Sequence, residues 1–432
     1  MEKIVSLCKR RGFVFQNSEI YGGLNGFWDL GPLGVALANN IKREWWSSIV
    51  LLRDDVVGFD SSILSHPKVW EASGHLKSFT DPLIECKVCH ERFREDHKKE
   101  IEEHKKTHNK SQWTDVKHFN LMFKTFVGPI EDDKNKTYLR PETAQGIFIN
   151  FENVLSSSRV KIPFGIAQIG KGFRNEITTG NFLFRVREFE MMELEFFVKP
   201  EEDSKWFEYW KKERLNWYLN LGIKKENIKL VDLPKEDIAH YSKGTSEIWY
   251  NWPFMGFSEL EGIANREDYD LAQHSKLSGK DLSYYDEESR KNYVPYAIEP
   301  SVGVGRAILA FLIDSYSEER DRVVLKLHPK LSPIKAAVFP LLANKLPLAK
   351  MARDIYDNLK VSIKEPIAFD DRGNIGKRYY SQDEIGTPFC ITVDFQSLED
   401  DTVTVRDRDT TKQERVKVDK LPSLIQQKIN NA

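Results

Sequence analysis

Apolar positions along the chain repeat with two periods, which mark helices and strands. Pro32 is followed by large apolar residues at four-residue spacing: Leu33, Leu37, Ile41 and Trp45. This spacing places them on one face of a helix, and a proline at the first helical position costs no hydrogen bond. We therefore predict a helix over residues 33–52, followed by a strand in VVGFDSSIL that ends before Pro67.

Strand-like stretches dominate the middle of the chain: YLRPETAQGIFINF, PFGIAQIGKGFRNEI and REFEMMELEFFV. Two segments instead predict helices, DSKWFEYWKKERLNWYLNLG and GVGRAILAFLIDSY, and the aromatic stripe of the first indicates a core-facing surface. Pro329 and Pro333 then bracket a linker. From residue 333 onward short strands and helices alternate, which is typical of a small α/β domain.

Composition narrows the class of protein. The 432 residues are 40% hydrophobic and 30% charged, which excludes fibrous and wholly disordered chains and suits two or three domains. A net charge of −2 gives no overall attraction to nucleic acid, so any such site must be a local patch. The sequence shows neither a membrane-spanning apolar run nor a signal peptide. Four cysteines are too few for a disulfide scaffold, so we expect a cytoplasmic location.

The composition changes between Cys86 and His118. This stretch holds 16 charged residues and five of the ten histidines. HKKEIEEHKKTH predicts an exposed helix with charges of alternating sign. We interpret residues at about 84–120 as a charged insertion that protrudes from the main domain.

Cysteine and histidine in this insertion follow the pattern C-x2-C-x14-H-x3-H, formed by Cys86, Cys89, His104 and His108. The spacing is close to that of a Cys2His2 zinc finger, and the two histidines would share a helix face. The segment before His104, however, is highly charged and has no obvious apolar mini-core. The favoured interpretation is a reduced cysteine pair with solvated histidines, so zinc at Cys86 and Cys89 is not expected.

One candidate site lies in GKGFRNEITTGNFLFRVREFEMMELEFF, where two strands flank a loop of about eight residues near 178–185. Alternation places Arg174 and Glu176 on one strand face, and Phe189 and Glu193 on one face of the returning strand. An arginine fork can hold a phosphate and a phenylalanine can stack on a base. A solvated sheet surface would show the same pattern, so this segment alone does not decide between them.

A second candidate lies in IEPSVGVGRAILAFL. Glu299, Ser301, Gly303 and Gly305 alternate along a strand, and Arg306 opens a helix. Glycines allow a ligand to approach the backbone, and a helix start favours anions. A glycine-rich packing turn explains the segment equally well. A third segment, RPETAQGIF, marks a strand-to-helix turn and says little by itself.

Together these segments resemble motifs 2 and 3 of class II aminoacyl-tRNA synthetases, and the helix 33–52 with its strand resembles motif 1. RPETAQG, EPSVGVGR, GFSELEGIANREDYDLAQHS and IGKRYYSQDEIGTPFCITVDF are similar specifically to glycyl-tRNA synthetases of the homodimeric type, over nearly the whole chain. The resemblance implies an α+β fold: an antiparallel class II sheet of six to seven strands with flanking helices at 1–332, then an α/β anticodon-binding domain at 333–432.

The same resemblance implies an activity and its partners. The implied enzyme is an ATP-dependent glycine–tRNA ligase, which forms glycyl-adenylate and transfers glycine to the 3′ end of tRNA(Gly). It implies Mg²⁺ with ATP, no tightly bound organic cofactor, and a homodimer. Neither a membrane nor DNA is an expected partner.

Site residues are also implied by the resemblance. Catalytic roles fall to Arg174, Glu259 and Arg306, with Glu259 also holding Mg²⁺. The glycine site comprises Arg94, Glu142, Phe189, Glu193, Glu299, Ser301 and Gly303. The ATP site comprises Arg174, Asn175, Glu176, Phe184, Arg185, Arg187, Phe189, Glu259, Leu260, Gly303, Gly305 and Arg306.

Glycine offers only an ammonium, a carboxylate and two hydrogens, and the implied roles suit that chemistry. Arg174 holds the α-phosphate and the carboxylate, and adenine lies between Phe189 and Arg306. Three glutamates surround the ammonium, while Ser301 fills the space where a side chain would project.

A basic and aromatic cluster in the C-terminal domain suits RNA recognition: Arg372, Lys377, Arg378, Tyr379 and Tyr380. An ordinary helix start explains the same residues.

Two rival functions share the implied fold. A non-catalytic relative, such as an accessory subunit of a mitochondrial DNA polymerase, should have lost the nucleotide contacts that are present here. A ligase of the same subgroup for threonine, proline or histidine fits EPSVG and the glutamate-rich pocket less well.

Overall fold

The computed structural model describes residues 1–108, 110–238, 242–319 and 321–431. Its α-helices are α1 Glu2–Arg11, α2 Pro32–Trp46, α3 Pro67–Ala72, α4 His75–Ser78, α5 Lys98–Thr107, α6 Ala144–Phe148, α7 Phe151–Ser158, α8 Asp203–Asn220, α9 Tyr269–Ser278, α10 Val304–Ser315, α11 Leu346–Ile363, α12 Ile375–Ile385, α13 Ser397–Asp400 and α14 Leu421–Asn430. Within these ranges no helix has the length and apolarity needed to cross a membrane.

The strands are β1 Val14–Gln16, β2 Trp28–Leu30, β3 Val56–Gly58, β4 Leu64–Ser65, β5 Thr80–Glu85, β6 Arg92–Arg94, β7 Lys117–Asn120, β8 Lys124–Phe126, β9 Lys136–Leu139, β10 Phe164–Phe173, β11 Glu188–Val198, β12 Ile228–Asp232, β13 Gly244–Trp252, β14 Gly256–Glu267, β15 Tyr284–Asp286, β16 Lys291–Tyr293, β17 Tyr296–Gly303, β18 Tyr316–Glu319, β19 Arg322–Leu325, β20 Ala336–Pro340, β21 Ile367–Phe369, β22 Phe389–Val393, β23 Thr402–Asp407 and β24 Gln413–Lys417.

A seven-stranded sheet with the order β12-β13-β14-β17-β11-β10-β3 forms the centre of the N-terminal part. Its strand pairs are antiparallel except β10 with β3, which is parallel. Glu193 of β11 lies opposite Ser301 of β17, and Ser301 lies opposite Gly262 of β14. This register places residues from three strands side by side on one face, and the expected α+β fold with an antiparallel-rich sheet is confirmed.

Helices α2, α8 and α10 contribute to the main apolar core with the sheet. Helix α8 buries Trp210, Trp217 and Tyr218, and Trp210 packs edge-on against Phe196 of β11. The aromatic stripe of α8 therefore serves the core, as its periodicity predicted.

Two predicted elements differ from the structure. The helix predicted over 33–52 is regular only as far as Trp46 and continues as a π-helical turn over Ser47–Leu51. The strand predicted in VVGFDSSIL divides into β3 and β4, which pair with different sheets. Pairing partners decide where a strand ends, and they are remote in sequence.

YLRPETAQGIFINF also reads as strand-like but forms strand β9 only as far as Leu139 before helices α6 and α7 begin. Pro141 explains the change, because a proline cannot donate to a strand ladder.

Residues 336–429 build a second apolar core around a five-stranded sheet with the order β21-β20-β22-β23-β24. Strand β20 pairs in parallel with β21 and β22, while β23 and β24 are antiparallel. Helices α11 and α14 contribute apolar residues to this core. The arrangement agrees with the small α/β domain expected there, and the exact boundary at 332/333 stays a prediction.

A buried ion cluster joins the two cores. Asp383 of α12 is fully buried and accepts hydrogen bonds from Arg322 at 2.6 Å and from Arg406 at 2.8 and 3.0 Å. The buried Arg408 donates to the carbonyl of Leu327 at 2.8 Å. Asp383, Arg406 and Arg408 belong to the C-terminal domain, so the contacts with Arg322 and with the Leu327 carbonyl are the ones that tie this domain to the N-terminal part.

We predict that Asp383→Asn lowers the melting temperature, because Arg406 then remains buried without its carboxylate partner and Arg322 keeps only Glu319. Breaking a buried ion pair costs about 3–5 kcal/mol. Asp409→Asn is the control, because Asp409 pairs with Arg408 but its side chain is 46% exposed. Equal melting temperatures for the two variants by differential scanning calorimetry would contradict the prediction.

Candidate active site

A cleft of about 490 Å³ is lined by the sheet, the loop between β10 and β11, and the β5–β6 hairpin. Most site residues proposed from the sequence line this cleft: Arg94, Glu142, Arg174, Glu176, Phe184, Arg185, Phe189, Glu193, Glu259, Leu260, Glu299, Ser301, Gly303, Gly305 and Arg306. Segments separated by up to about 200 residues thus converge on one volume. Their individual roles remain predictions.

Asn175 and Arg187 are not among the cleft-lining residues. The guanidinium of Arg187 donates to the carbonyl of Glu176 at 2.8 and 3.1 Å and to that of Asn25 at 2.7 Å. The backbone N–H of Asn175 donates to the carbonyl of Leu121 at 2.8 Å. These contacts fix the loop backbone, so the structure supports a positioning role for Arg187.

The loop between β10 and β11 spans 174–187, longer than the eight residues predicted, and includes a 3-10 turn at Phe182–Phe184. Arg174 and Glu176 therefore belong to the loop rather than to a strand. Similarly, Gly305 lies in the first turn of α10, because β17 ends at Gly303. Arg174 and Glu176 nevertheless line the cleft. The backbone N–H of Arg174 donates to the carbonyl of Arg187 at 2.9 Å, which extends the hairpin beyond its two strands.

Arg174 is held between two aromatic rings. Its guanidinium carbon lies 5.5 Å from the ring centre of Phe79 and 5.4 Å from that of Phe189. Its Nε donates to the carbonyl of Pro141 at 3.1 Å, and the described residues give its two Nη atoms no hydrogen-bond partner. The terminal fork is therefore oriented and available for an anion.

Arg306 and Glu259 form an ion pair across the cleft wall, with Nη1 donating to Oε2 at 2.7 Å. The Arg306 guanidinium also lies 4.6 Å from the ring centre of Phe184. The positive charge of Arg306 lowers the pKa of Glu259, which keeps that carboxylate ionised.

Glu247 of β13 is a cleft residue that the sequence reasoning missed. Burial and the nearby charge of Glu259 raise its pKa, although Trp249 Nε1 donates to it at 2.6 Å. The negative charge of Glu259 thus disfavours the ionisation of Glu247, and a cation bound beside the two carboxylates would relieve this effect. Glu247 and Trp249 lie two residues apart in an ordinary strand pattern, so nothing in the sequence distinguished Glu247 as a site residue.

Glu193 lies at the floor of the cleft and is 1% exposed. Its carboxylate accepts hydrogen bonds from the N–H of Thr143 at 2.6 Å, from the Thr143 hydroxyl, and from the Ser301 hydroxyl at 2.8 Å. Burial and the nearby charge of Glu142 raise the pKa of Glu193, an effect that these hydrogen bonds partly offset. Ser301 is thereby oriented towards Glu193.

Glu142 and Glu299 flank Glu193 in opposite electrostatic states. Burial favours the neutral form of Glu142, but His75 at 3.3 Å and Arg266 more than compensate, so its pKa is lowered. Glu299 accepts from Arg266 at 2.9 Å, yet burial and the other carboxylates raise the pKa of Glu299 to about 7. Glu142 is therefore ionised at neutral pH, whereas the charge of Glu299 changes with pH near neutrality.

Arg266 and Glu195 were also missed from the sequence. Arg266 donates to both oxygens of Asp270 at 2.7 and 2.9 Å and to Glu299. Its positive charge therefore offsets part of the negative charge of these acids. Glu195 is fully buried, and its carboxyl oxygens have no hydrogen-bond partner among the described residues. Burial and Glu299 raise the pKa of Glu195 strongly. Continued alternation beyond Glu193 along β11 was the available signal for Glu195.

Arg94 reaches the cleft from β6 of the insertion. Its Nη1 donates to Asp81 of β5 at 2.8 Å, and its Nε donates to Asp96 at 3.0 Å. Its side chain is 19% exposed. The insertion therefore contributes to the cleft wall, and its protrusion from the main domain stays a prediction.

The insertion also brings Cys86, Cys89 and His104 together, with their ligand atoms within 4.8 Å of one another. Two features of the sequence interpretation are wrong. His104 is buried rather than solvated, and Phe93 and Trp113 pack against its ring, while Ile84 and Ile101 of the same segment are also buried. The expectation that no zinc binds here stays untested.

The C-terminal cluster proposed for RNA divides into two groups. Arg378 is buried and donates to backbone carbonyls, including that of Gly373 at 2.8 Å, and the hydroxyl of Tyr379 pairs with that of Thr392 at 2.6 Å. These two residues stabilise the domain. Arg372, Lys377 and Tyr380 remain exposed.

Comparison with known families agrees with this geometry. Residues 123–316 match the tRNA synthetase class II core domain (G, H, P, S and T), and residues 335–428 match the anticodon binding domain family. Glycine–tRNA ligase from Streptomyces coelicolor is 54% identical over 98% of this chain and 96% of its own length.

Two further relatives carry the same description. Glycine–tRNA ligase from Caldanaerobacter subterraneus is 52% identical over 99% of this chain and 98% of its own length. Glycine–tRNA ligase from Treponema denticola is 51% identical over 100% of this chain and 97% of its own length. The chain therefore belongs to the glycine–tRNA ligase family of class II aminoacyl-tRNA synthetases.

Proposed function

We propose that this protein is a glycine–tRNA ligase, which activates glycine with ATP and transfers it to the 3′ end of tRNA(Gly). One observation carries the proposal: three glutamates converge at the floor of a cleft that also presents Arg174 and Arg306. The floor suits a small cation and the opposite wall suits anions. Glycine joined to a nucleotide phosphate carries both kinds of charge.

The floor of the cleft selects the ammonium of glycine. Glu142, Glu193 and Glu299 face one small space, and Arg266 with His75 compensates them only in part. An ammonium supplies the missing positive charge and three hydrogen-bond donors. The neighbouring Gly262 has no side chain, and the space where a Cβ would lie is open, with no atom within 4 Å. Ser301 then limits the room beyond the α-carbon.

The opposite wall holds ATP. Phe189 offers a ring to adenine from one side, and Arg306 offers its guanidinium from the other. Glu259 and Glu247 would hold Mg²⁺, which neutralises charge on the phosphates when it binds with ATP. The negative charge of Glu259 raises the pKa of Glu247, and this repulsion supports the placement of a cation there.

Adenylate formation needs no general base, because the glycine carboxylate is already a nucleophile. Its oxygen attacks the α-phosphorus and pyrophosphate leaves. Arg174, preoriented between Phe79 and Phe189, stabilises the charge that develops on the α-phosphate oxygens. In the second step a hydroxyl of the terminal ribose attacks the glycyl carbonyl and AMP leaves.

The C-terminal domain reads the anticodon in this proposal, and the exposed Arg372, Lys377 and Tyr380 supply charge and a stacking surface. We further propose a cytoplasmic homodimer with no membrane or DNA partner. Exposed large apolar side chains near α2 support a protein interface: Ile20, Tyr21, Leu51 and Leu52. The four cysteines are free, which suits a reducing compartment.

The first test is Arg174→Ala. We expect the glycine-dependent exchange of pyrophosphate into ATP to fall by roughly 10²–10³-fold, the typical cost of losing a positioned charge donor. Lys171→Ala is the control, because Lys171 lies on the same hairpin with its side chain 51% exposed. Exchange within tenfold of the wild type in Arg174→Ala, at an unchanged melting temperature, would contradict the proposal.

Ser301 tests the choice between glycine and alanine. We expect Ser301→Gly to raise kcat/KM for alanine relative to glycine by about 5- to 150-fold, because relieving an overpacked contact gains about 1–3 kcal/mol. Ser301→Ala keeps the Cβ but removes the hydrogen bond to Glu193, so its ratio should stay at the wild-type value. A ratio that changes equally in both variants would assign the effect to the lost hydrogen bond instead.

The raised pKa of Glu299 predicts that glycine activation depends on pH. Its pKa of about 7 means that it is ionised above that pH and protonated below it. Only the ionised form attracts the ammonium, so kcat/KM for glycine should fall as the pH drops through about 7. Glu299→Gln has no charge to lose, so the ratio of wild-type to variant kcat/KM should rise with pH. A constant ratio between about pH 6 and 8 would show that Glu299 does not hold the ammonium.

A further inference from the structure

The β5–β6 hairpin and helix α5 place two sulfur atoms and a ring nitrogen around one point. Cys86 directly follows β5, Cys89 lies in the turn before β6, and His104 lies in the last turn of α5. Their ligand atoms are within 4.8 Å of one another, and Cys89 Sγ is 3.6 Å from His104 Nε2. Tetrahedral zinc separates such ligand atoms by about 3.5–3.8 Å, given its bond lengths to sulfur and nitrogen.

The histidine is held in the orientation that a metal requires. Its Nδ1 lies 3.0 Å from a carboxylate oxygen of Glu91. A carboxylate that accepts the Nδ1 proton leaves the Nε2 lone pair facing the two cysteines, an arrangement that recurs around zinc-bound histidines. A histidine that served only as a buried side chain would not need a sulfur pair at its other nitrogen.

His108 lies beside His104 but outside the group of three residues whose ligand atoms converge. The rings of His104 and His108 are stacked, with centres 4.8 Å apart and planes 5° from parallel. His108 follows His104 by one helical turn, at the end of α5. The sequence order of two cysteines in a hairpin and two histidines on a helix is that of a Cys2His2 zinc module.

The surrounding packing indicates why this segment would need a metal. Phe93 and Trp113 pack against His104 with ring centres 4.8 and 5.4 Å away, and Cys86 is fully buried beside them. The cluster is too small to stabilise a segment in which almost half of the residues are charged. Small modules of this kind commonly derive their stability from a structural metal.

We propose that Cys86, Cys89, His104 and His108 bind one structural zinc ion. The ion fastens the β5–β6 turn to α5. The same hairpin carries Arg94 into the cleft at its other end, so the ion also holds that arginine in place. This last consequence rests on the proposed function, whereas the metal site itself does not.

Metal content of the full chain is the first measurement. The protein is purified without a histidine tag or chelator, dialysed against metal-depleted buffer and analysed by mass spectrometry of the elements. We expect one zinc per chain, lost in Cys86→Ser and in His104→Ala. His118→Ala is the matched control, because His118 is exposed on β7 of the same insertion. Zinc that is absent from the wild type, or retained equally by all variants, would overturn the proposal.

Cobalt substitution gives a readout that does not depend on activity or on the stability of a variant. The wild-type protein is stripped with a chelator and reloaded with Co²⁺. We expect the visible absorption of tetrahedral cobalt together with a thiolate charge-transfer band. Octahedral cobalt without thiolate bands, or a disulfide between Cys86 and Cys89, would refute the site.

His108→Ala tests the fourth ligand separately. We expect zinc to be retained but released to a competing chelator at an affinity at least about tenfold lower. Affinity equal to that of His118→Ala would remove His108 from the ligand set. Pyrophosphate exchange measured alongside keeps the two questions apart: an active protein without zinc overturns the metal site alone, and a zinc-loaded protein without glycine activation overturns the proposed function alone.

Discussion

The burial of several carboxylates on one face of the central sheet is the constraint on which the site depends. Glu193 and Glu299 are nearly inaccessible to solvent, and Glu195 is completely so. Isolated charges in such a place would be costly, so the protein supplies Arg266 and hydrogen bonds from Thr143 and Ser301. The compensation is incomplete, and a site with unsatisfied negative charge is prepared to bind a cation before any ligand arrives.

Strand register converts that chemistry into geometry. Because β11, β17 and β14 are adjacent, Glu193, Ser301 and Gly262 form a row across the sheet. A shift of one residue in any of these strands would turn its functional side chains to the core face. The large aromatic core formed with α8 therefore acts on the site indirectly, since it makes any other register costly.

The peripheral parts of the chain are tied to this centre by local contacts of different kinds. Arg187 holds the loop after β10 through backbone carbonyls, and Arg94 reaches the cleft from a separate small module. Asp383 compensates arginines from two sequence regions where the C-terminal domain meets the core. Arg187 and Asp383 thus link segments that are remote in sequence, whereas Arg94 pairs with Asp81 and Asp96 within its own module.

The sequence by itself determined the fold class, the core-facing stripe of α8 and most of the residues that line the cleft. Period and motif are local properties, and the residues of FRNE and EPSVGVGR lie within short segments. Only the tertiary structure decided which further residues line the cleft or contact these side chains. Arg266 and Glu247 have no distinctive spacing, Glu195 only continues the alternation of Glu193 along β11, and the importance of all three arises from neighbours on other strands. The same reason explains the buried His104, because Phe93 and Trp113, which pack against its ring, lie at spacings along the chain that no periodicity reveals.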